Sequence, residues 1–333
     1  MIDIVFHGEN AATYLADFRA ALRCEARIRT LAQALDTPGD IQAFRDAEVI
    51  VGNRFDAAMP APQRARLYQV CATGYDRIDF AALPAATAIC NCHGHEQAIA
   101  EYAMAAMLAR RVPLADAHAS LRQGEWRYRS GLPGALHGEL GGATLGLLGY
   151  GHIGQAIARR AKAFGMRVLA ANRSPVPVSG DVDAWMGLDA LEPFYRQADF
   201  IVVSLPLLAA TQGLVGAQAF AQMRPHAMLI NVGRGPVVDE QALYDALAQG
   251  RIGAAAIDTW YRYPARLDGQ GLPSGLPFER LDNIVMTPHM SAWTDGTIRR
   301  RAQIMAANVA ACAAGQPLAN VLRAGSAGAA AGG

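Results

Sequence analysis

The stretch from residue 144 to residue 171 joins two apolar runs through a glycine pattern of the form GxGxxG. The first apolar run leads into Gly149, Gly151 and Gly154. Gly149 permits a tight turn, Gly151 lets the backbone approach a pyrophosphate, and Gly154 lets the following helix pack against the strand. The start of that helix offers free N–H groups and partial positive charge to phosphate oxygens. This context predicts dinucleotide binding; the alternative is an ordinary glycine-rich turn between a strand and a helix.

The residues after the second apolar run bear on the choice of dinucleotide. An acid about 20 residues past the glycines binds the ribose hydroxyls of NAD, but Asn172, Arg173 and Ser174 stand here instead. Asn172 carries no charge that would repel a 2′-phosphate. Arg173 can pair with such a phosphate and Ser174 can donate a hydrogen bond to it. The sequence therefore favours NADP over NAD, the alternative being a solvent-exposed arginine beside an asparagine in a turn.

The charge balance excludes several other functions. The chain has 333 residues, with 30 basic and 29 acidic side chains and a formal net charge of +1. Such a balance gives no electrostatic reason to expect nucleic acid or an anionic membrane as a partner. Lys162 is the single lysine, so any other cationic site must be built from arginine.

The cysteines and the apolar runs indicate a cytoplasmic protein. The five cysteines are odd in number and sparse, which favours free thiols in a reducing compartment. No uncharged apolar run reaches the ~18 residues of a membrane-spanning helix, and Asp3 argues against a signal peptide. The stretch Cys90–His95 has no second Cys/His pair at zinc-site spacing. We therefore predict no metal and interpret it as a strand end with a loop.

The elements that must position these residues alternate along the chain. Short β-branched runs alternate with amphipathic stretches, for which the helices 97–108, 155–164 and 240–249 are predicted. Such alternation indicates βαβ units and a parallel, doubly wound α/β sheet. The length corresponds to about two domains. A long loop is predicted over 263–278 and a loose, low-complexity tail over the last ten or so residues.

Seven motifs in a fixed order extend these observations over nearly the whole chain. They are ATGYDRID (72–79), AIAEYAMAAML (98–108), LLGYGHIG (147–154), SLPLLAATQGLV (204–215), INVGRGPVVDEQAL (230–243), AIDTW (256–260) and TPHMSAWT (287–294). In this order the chain resembles the D-isomer-specific 2-hydroxyacid dehydrogenases. That group includes glyoxylate/hydroxypyruvate reductases, phosphoglycerate dehydrogenases and formate dehydrogenases.

The resemblance implies roles for individual residues. Arg234 would bind the substrate carboxylate and polarise its C2 carbonyl, and His289 would be the general acid/base. The backbone N–H groups of Thr73 and Gly74 would cradle the carboxylate. Asp258 would lie near the nicotinamide carboxamide, and Leu205 and Pro206 along the adenosine. The full set of implied cofactor contacts is Gly149, Gly151, His152, Ile153, Gly154, Asn172, Arg173, Ser174, Leu205, Pro206, Val232 and Asp258. Without the resemblance, a surface salt bridge for Arg234 and a loop histidine for His289 would be the simpler interpretations.

The residue types suit such chemistry. Reduction of a 2-oxo acid adds a hydride to C2 and a proton to its oxygen, and histidine titrates near neutrality. Arginine binds a carboxylate through a bidentate fork, which lysine does not offer.

One position departs from the pattern of the family. Where the family has a glutamate that holds the catalytic histidine, this chain has Tyr263. A carboxylate raises the pKa of a neighbouring histidine, whereas a neutral phenol can orient the ring without supplying charge. We therefore expect Tyr263 to face His289, and His289 to titrate lower than in relatives with glutamate.

Three further side chains have two interpretations each. His93 and His95 could bind an acidic substituent of the substrate, although a role in capping their loop is favoured. Tyr75 would face the substrate pocket by the pattern of the family, or pack in the core.

The resemblance also implies an interleaved architecture. Residues 1–96 plus 292–333 would form a substrate-binding domain and 97–291 a dinucleotide-binding Rossmann domain. Both would be doubly wound parallel-sheet domains of Rossmann or flavodoxin type with a cleft between them, and the chain would be a homodimer. The expected function is reduction of a small 2-oxo acid of the glyoxylate or hydroxypyruvate type. The alternatives are NAD-dependent oxidation of another small anion, and a cofactor-sensing binding protein with an incomplete catalytic site.

Overall fold

The computed structural model describes residues 1–266 and 268–326. They divide into two compact units: unit 1 comprises Met1–His95 and Thr294–Gly333, and unit 2 comprises Glu96–Trp293. Most of the predicted low-complexity tail, residues 327–333, lies outside the described part. Within that part, no helix is both long enough and apolar enough to cross a bilayer.

The elements are numbered along the chain. The strands are β1 (Ile2–His7), β2 (Ala26–Leu31), β3 (Val49–Gly52), β4 (Leu67–Val70), β5 (Ala88–Cys90), β6 (Thr144–Leu148), β7 (Arg167–Ala171), β8 (Ala184–Met186), β9 (Phe200–Val203), β10 (Met228–Asn231), β11 (Ala254–Ile257), β12 (Ile284–Met286) and β13 (Val321–Arg323). The helices are α1 (Glu9–Ala12), α2 (Leu15–Ala21), α3 (Pro38–Asp46), α4 (Glu96–Arg111), α5 (Leu114–Arg122), α6 (His152–Ala163), α7 (Glu192–Gln197), α8 (Ala217–Gln222), α9 (Glu240–Ala248) and α10 (Asp295–Ala313), with 3₁₀ turns at Gly235–Val237 and Phe278–Arg280.

Unit 1 is built on a sheet of strand order β13-β5-β4-β3-β1-β2. Strands β1 to β5 pair in parallel, and β13 adds an antiparallel strand at the edge beside β5. The sequence pattern did not predict β13, since it has three residues and an exposed or half-buried side chain at each.

Unit 2 is built on a sheet of order β12-β11-β10-β9-β6-β7-β8, and its strand pairs are all parallel. Side chains alternate between its two faces: Leu145 and Leu147 pack into one apolar cluster, and Leu148 packs into another. A parallel sheet whose strands are buried on both faces carries near-continuous apolar runs, as here. The predicted fold class, α/β with two parallel-sheet domains, is confirmed.

Helix α6 begins at His152, three residues before the predicted start. Gly151 is the N-cap and Gly154 lies within the first turn, so the glycine pattern is partly helical and not wholly a turn. Helix α10 begins at Asp295, and the Thr294 side chain caps it by accepting from the backbone N–H of Thr297.

Parallel strands end at one edge of a sheet, and this places the predicted residues of unit 2. Strand β6 leads into Gly149, β7 into Asn172, β9 into Leu205, and β10 into Arg234. Strands β11 and β12 are followed by Asp258 and by the loop that carries His289. In open α/β sheets, ligands bind outside this carboxyl edge.

Candidate active site

The glycine-rich turn has the geometry that phosphate binding requires. Gly149 has a φ of +101°, a conformation that disfavours side chains. A Cβ at Gly151 would meet nothing within 4 Å, so this backbone is open to a ligand. A Cβ at Gly154 would collide with the carbonyl oxygen of Gly149, so only glycine lets the first turn of α6 approach the strand end.

The turn faces the end of β9, which neighbours β6 on the side opposite β7. The Ser204 hydroxyl donates to the carbonyl oxygen of Gly149 (3.2 Å). Leu205 is buried beside this turn and Pro206 is exposed. The strand order reverses its direction between β6 and β9, which is where doubly wound sheets bind dinucleotides.

The end of β7 is tied to the same turn. The Asn172 side chain lies 3.5 Å from the backbone nitrogen of Tyr150 and donates to the carbonyl oxygen of Ser174 (3.0 Å). Arg173 and Ser174 are exposed. Arg173 forms no hydrogen bond or ion pair within residues 1–266 and 268–326.

Arg234 is held at the end of β10 by the glycines on either side of it. A Cβ at Gly233 would lie 2.7 Å from the carbonyl oxygen of Leu205, and one at Gly235 would collide with the carbonyl oxygen of Trp260. The buried Asn231 accepts from Gly233 N (3.1 Å) and donates to the carbonyl oxygen of Arg234 (3.1 Å). The Arg234 guanidinium is half-buried and donates to the carbonyl oxygen of Gly233 (2.9 Å).

Asp258 is fully buried and organises the loop that follows β12. One carboxylate oxygen accepts from the Thr287 hydroxyl (2.6 Å) and from Met290 N (2.8 Å), and the other accepts from Ser291 N (3.0 Å). The Tyr102 hydroxyl lies 2.8 Å from that of Thr287 and donates to it. The Asp258 carboxylate thus binds both sides of His289 and fixes its loop.

His289 lies exposed at the tip of this loop, and Tyr263 faces it. The Tyr263 Oη lies 3.0 Å from His289 Nδ1, and the ring centroids are 5.7 Å apart. His289 has a φ of +58°, which is uncommon for a residue with a side chain. Such backbone strain concentrates at functional sites because the surroundings must enforce it.

Trp260 supports both Tyr263 and the loop that carries His289, and this role was not predicted from the sequence. Its backbone N–H donates to Tyr263 Oη (3.0 Å), and its indole Nε1 donates to the carbonyl oxygen of Thr287 (2.8 Å). Thr287 was missed as well. The available signal was their position, since both occur inside motifs that flank Asp258 and His289.

In unit 1, the turn after β4 presents free backbone donors. The N–H groups of Thr73 and Gly74 donate to no acceptor in the part of the chain that the structure describes. The Thr73 hydroxyl points inward and donates to the carbonyl oxygen of Cys92 (2.6 Å). His95 is buried with a ring nitrogen 3.2 Å from this hydroxyl.

The remaining candidates occupy varied surroundings. Tyr75 is about half exposed (47%) and its ring packs on Phe80, so it is not a core residue. Val232 is buried, whereas His152 is exposed and Ile153 half-buried at the start of α6. Lys162, the single lysine, forms an ion pair with Asp183 (2.9 Å).

The unit 2 residues fit a bound dinucleotide. The open backbone at Gly151 and the helix start, which has no side-chain cap, offer N–H donors to phosphate oxygens. The two carboxylate oxygens of Asp258 accept three hydrogen bonds within the protein, and its place beside the nicotinamide carboxamide stays a prediction.

A glycine-rich turn at the switch point of a parallel sheet, with an arginine and a histidine on the same edge, is typical of dehydrogenases of Rossmann type. The family model "D-isomer specific 2-hydroxyacid dehydrogenase, NAD binding domain" matches residues 102–291. The chain belongs to the D-isomer-specific 2-hydroxyacid dehydrogenase family, and it is an NAD(P)-dependent oxidoreductase. The family, enzyme class and NAD(P) predictions are confirmed.

Named relatives differ in their activities. A D-3-phosphoglycerate dehydrogenase of Methanocaldococcus jannaschii is 32% identical over 85% of this chain, which spans only 53% of that longer protein. A glyoxylate reductase of Thermococcus onnurineus is 33% identical over 81% of each chain. The solved NADPH-dependent glyoxylate/hydroxypyruvate reductase of Sinorhizobium meliloti, in complex with NADP and malonate, is 25% identical, with a TM-score of 0.75 over 96% of each chain.

Proposed function

We propose that this protein is an NADP-dependent reductase of small 2-oxo acids of the glyoxylate or hydroxypyruvate type. The observation that carries the proposal is the Tyr263–His289 pair, on a loop fixed by Asp258 and at the same sheet edge as Arg234. The pair supplies a proton donor, and Arg234 supplies a cation for a carboxylate.

Arg234 binds the substrate carboxylate and polarises the C2 carbonyl, and Thr73 and Gly74 offer backbone N–H groups to a substrate carboxylate. The bound cofactor supplies the hydride that C2 receives. His289 donates a proton from Nε2 to the carbonyl oxygen, which completes the alcohol. In this proposal unit 2 is the dinucleotide-binding domain and unit 1 the substrate-binding domain.

Tyr263 orients the ring in place of a carboxylate. Its Oη accepts from Trp260 N (3.0 Å) and has a second lone pair for the Nδ1–H of a protonated His289 ring, 3.0 Å away. The imidazolium carries a proton on each ring nitrogen, so Nε2–H is left for the substrate oxygen and the neutral ring that results keeps its proton on Nδ1. The phenol thus holds the ring in place while Nε2 donates.

The test of the activity is turnover by the full chain. We expect NADPH oxidation with glyoxylate, hydroxypyruvate or both, and a fall in kcat/KM of at least about 100-fold for His289→Gln. The matched control is His137→Gln, on an exposed loop of unit 2, which should retain activity. Tight NADPH binding without turnover of any 2-oxo acid would contradict the proposal and favour a cofactor sensor.

The exposed Arg173 supports a preference for NADP, since it is available to a 2′-phosphate at the end of β7. We expect Arg173→Ala to weaken NADPH binding about tenfold or more and to leave NADH binding unchanged. Arg167→Ala, at the opposite end of the same strand, is the control. An unchanged ratio of the two dissociation constants would overturn the choice of NADP.

We further propose that the protein is a homodimer and is located in the cytoplasm. The segment 114–136 of unit 2 exposes large apolar side chains, which a second copy would cover: Leu114, Leu121, Trp126, Leu132 and Leu136. The five free cysteines support a reducing compartment. Light scattering should give twice the chain mass for wild type and the single chain mass for Trp126→Glu; a monomeric wild type would contradict the assembly.

A further inference from the structure

Arg301 is an unusual arginine in this chain. Of the arginines in residues 1–266 and 268–326 it is the single one that is buried, with 6% of its surface exposed. Its neighbours on α10, Arg299 and Arg300, are exposed and half-buried. Burying a guanidinium removes its hydration, and buried charges are ordinarily paired.

No group in the described part of the chain forms an ion pair or a short hydrogen bond with the Arg301 guanidinium. Its two hydrogen bonds are long, 3.4 Å to Tyr14 Oη and 3.5 Å to Thr73 Oγ1. Its Nε–H is buried without an acceptor, and it forms no ion pair within the described ranges.

Three titratable groups near Arg301 are held in their neutral forms by burial. Burial raises the pKa of the Cys71 thiol to about 12 despite the nearby guanidinium. Burial likewise raises the pKa values of Cys92 and of the Tyr14 phenol. None of the three provides a negative charge near neutral pH, so the positive charge of Arg301 has no countercharge among the described residues.

What lies next to this charge is the turn after β4. Arg301 contacts the Thr73 side chain, and the backbone N–H groups of Thr73 and Gly74 are unused on the same turn. Two free N–H donors on a turn that a buried cation contacts attract an anion. The charge acts strongly there, because the protein around it screens less than water does.

We propose that Arg301 is a positioning residue for anionic substrates: its buried charge strengthens carboxylate binding at the Thr73–Gly74 turn, and the bound carboxylate is its countercharge. This inference rests on the proposed function, which places the substrate carboxylate at that turn. The favoured substrates are small acids whose carboxylate is ionised, over their neutral amides or esters.

The test compares three variants at α10. Arg301→Gln removes the charge and keeps a donor for Thr73, Arg301→Lys keeps the charge, and Arg299→Gln removes an exposed charge from the same helix as a matched control. The measurements are kcat and KM for glyoxylate with NADPH, the dissociation constants of oxamate and of NADPH, and the melting temperature without ligand.

Arg301→Gln should raise the glyoxylate KM and the oxamate Kd about tenfold. It should leave kcat within about threefold and the NADPH Kd unchanged, with the melting temperature equal or higher, because a costly buried charge is gone. Arg301→Lys should recover most of the affinity, and Arg299→Gln should behave as wild type.

A merely structural Arg301 gives a different result. Arg301→Gln would then lower the melting temperature and weaken NADPH and oxamate binding together, which overturns the inference. An unchanged KM and oxamate Kd overturn it as well. If the wild type reduces no 2-oxo acid, the proposed function fails, but the oxamate Kd values of the wild type and Arg301→Gln still test the role of Arg301. If, in addition, oxamate binds to neither the wild type nor Arg301→Gln, both proposals are overturned.

Discussion

Asp258 in unit 2 and Arg301 in unit 1 are both buried charges, but the protein treats them differently. Asp258 accepts three hydrogen bonds from the loop around His289, at 2.6 to 3.0 Å. Among the described residues, Arg301 has two hydrogen bonds of 3.4 and 3.5 Å, and its buried Nε–H has no acceptor. A charge that the fold satisfies positions its neighbours, whereas a charge that the fold leaves unsatisfied costs stability and attracts a ligand.

Removing the Asp258 carboxylate should give the largest effect. Asp258→Ala leaves Met290 N, Ser291 N and the Thr287 hydroxyl without their acceptor, so we expect a loss of about 3 kcal/mol in the free energy of unfolding. The loop that holds His289 loosens, and kcat should fall about 100-fold or more. Urea unfolding and steady-state kinetics measure the two. Asp258→Asn, which keeps one acceptor oxygen, should lie between this variant and wild type; an Asp258→Ala enzyme of normal stability would break the comparison.

The two buried charges should also differ in the sign of their effect on stability. Neutralising Asp258 lowers the free energy of unfolding, whereas Arg301→Gln should leave it unchanged or raise it by about 1 kcal/mol. Parallel urea titrations of both variants without ligand measure the difference. A loss of stability in both would mean that Arg301 is satisfied within the protein.

How much of the fold and of the candidate site could be predicted from the sequence depends on how far apart the interacting residues lie along the chain. The glycine turn and the alternation of strands and helices are local, so spacing alone indicated the turn and the parallel sheets. The pairing of Tyr263 with His289 spans 26 residues, and only the resemblance suggested it. The Trp260 backbone donor has no side-chain signature and could not be predicted.

Arg301 lay within reach of sequence analysis. It shares a helical face with the buried Met305 and Asn308 and with Cys312, and the 3.6-residue period puts these positions on one side. The pattern is hard to recognise because Arg301 follows Arg299 and Arg300, and a run of charged residues usually indicates an exposed face. The structure shows which of the three turns inward, since Arg301 is the one that contacts Thr73 on the turn after β4.

Substitution of Tyr263, which faces His289, should give an effect of intermediate size. In Tyr263→Glu a carboxylate replaces the phenol, which stabilises the protonated imidazole and raises the pKa of His289. Because reduction uses the protonated form, the alkaline limb of the kcat/KM profile should move to higher pH by about one unit. Tyr263→Phe, which removes only the hydroxyl, is the companion variant and should lower kcat about tenfold without an upward shift. The same pH profile for all three proteins would mean that this limb does not report His289.

The smallest effect concerns the thiols beside Arg301. Burial raises the pKa of Cys71 to about 12 and raises that of Cys92 as well, so neither should form a thiolate between pH 7 and pH 9. Since the thiolate is the reactive form, native protein should alkylate at these cysteines only as fast as it unfolds. Mass spectrometry of iodoacetamide-treated protein follows the rates across this pH range, with the half-buried Cys24 as internal reference. Alkylation of Cys71 that rises through neutral pH in the folded protein would reveal a thiolate paired with Arg301. That thiolate would be the missing countercharge, and the difference between the two buried charges would then disappear.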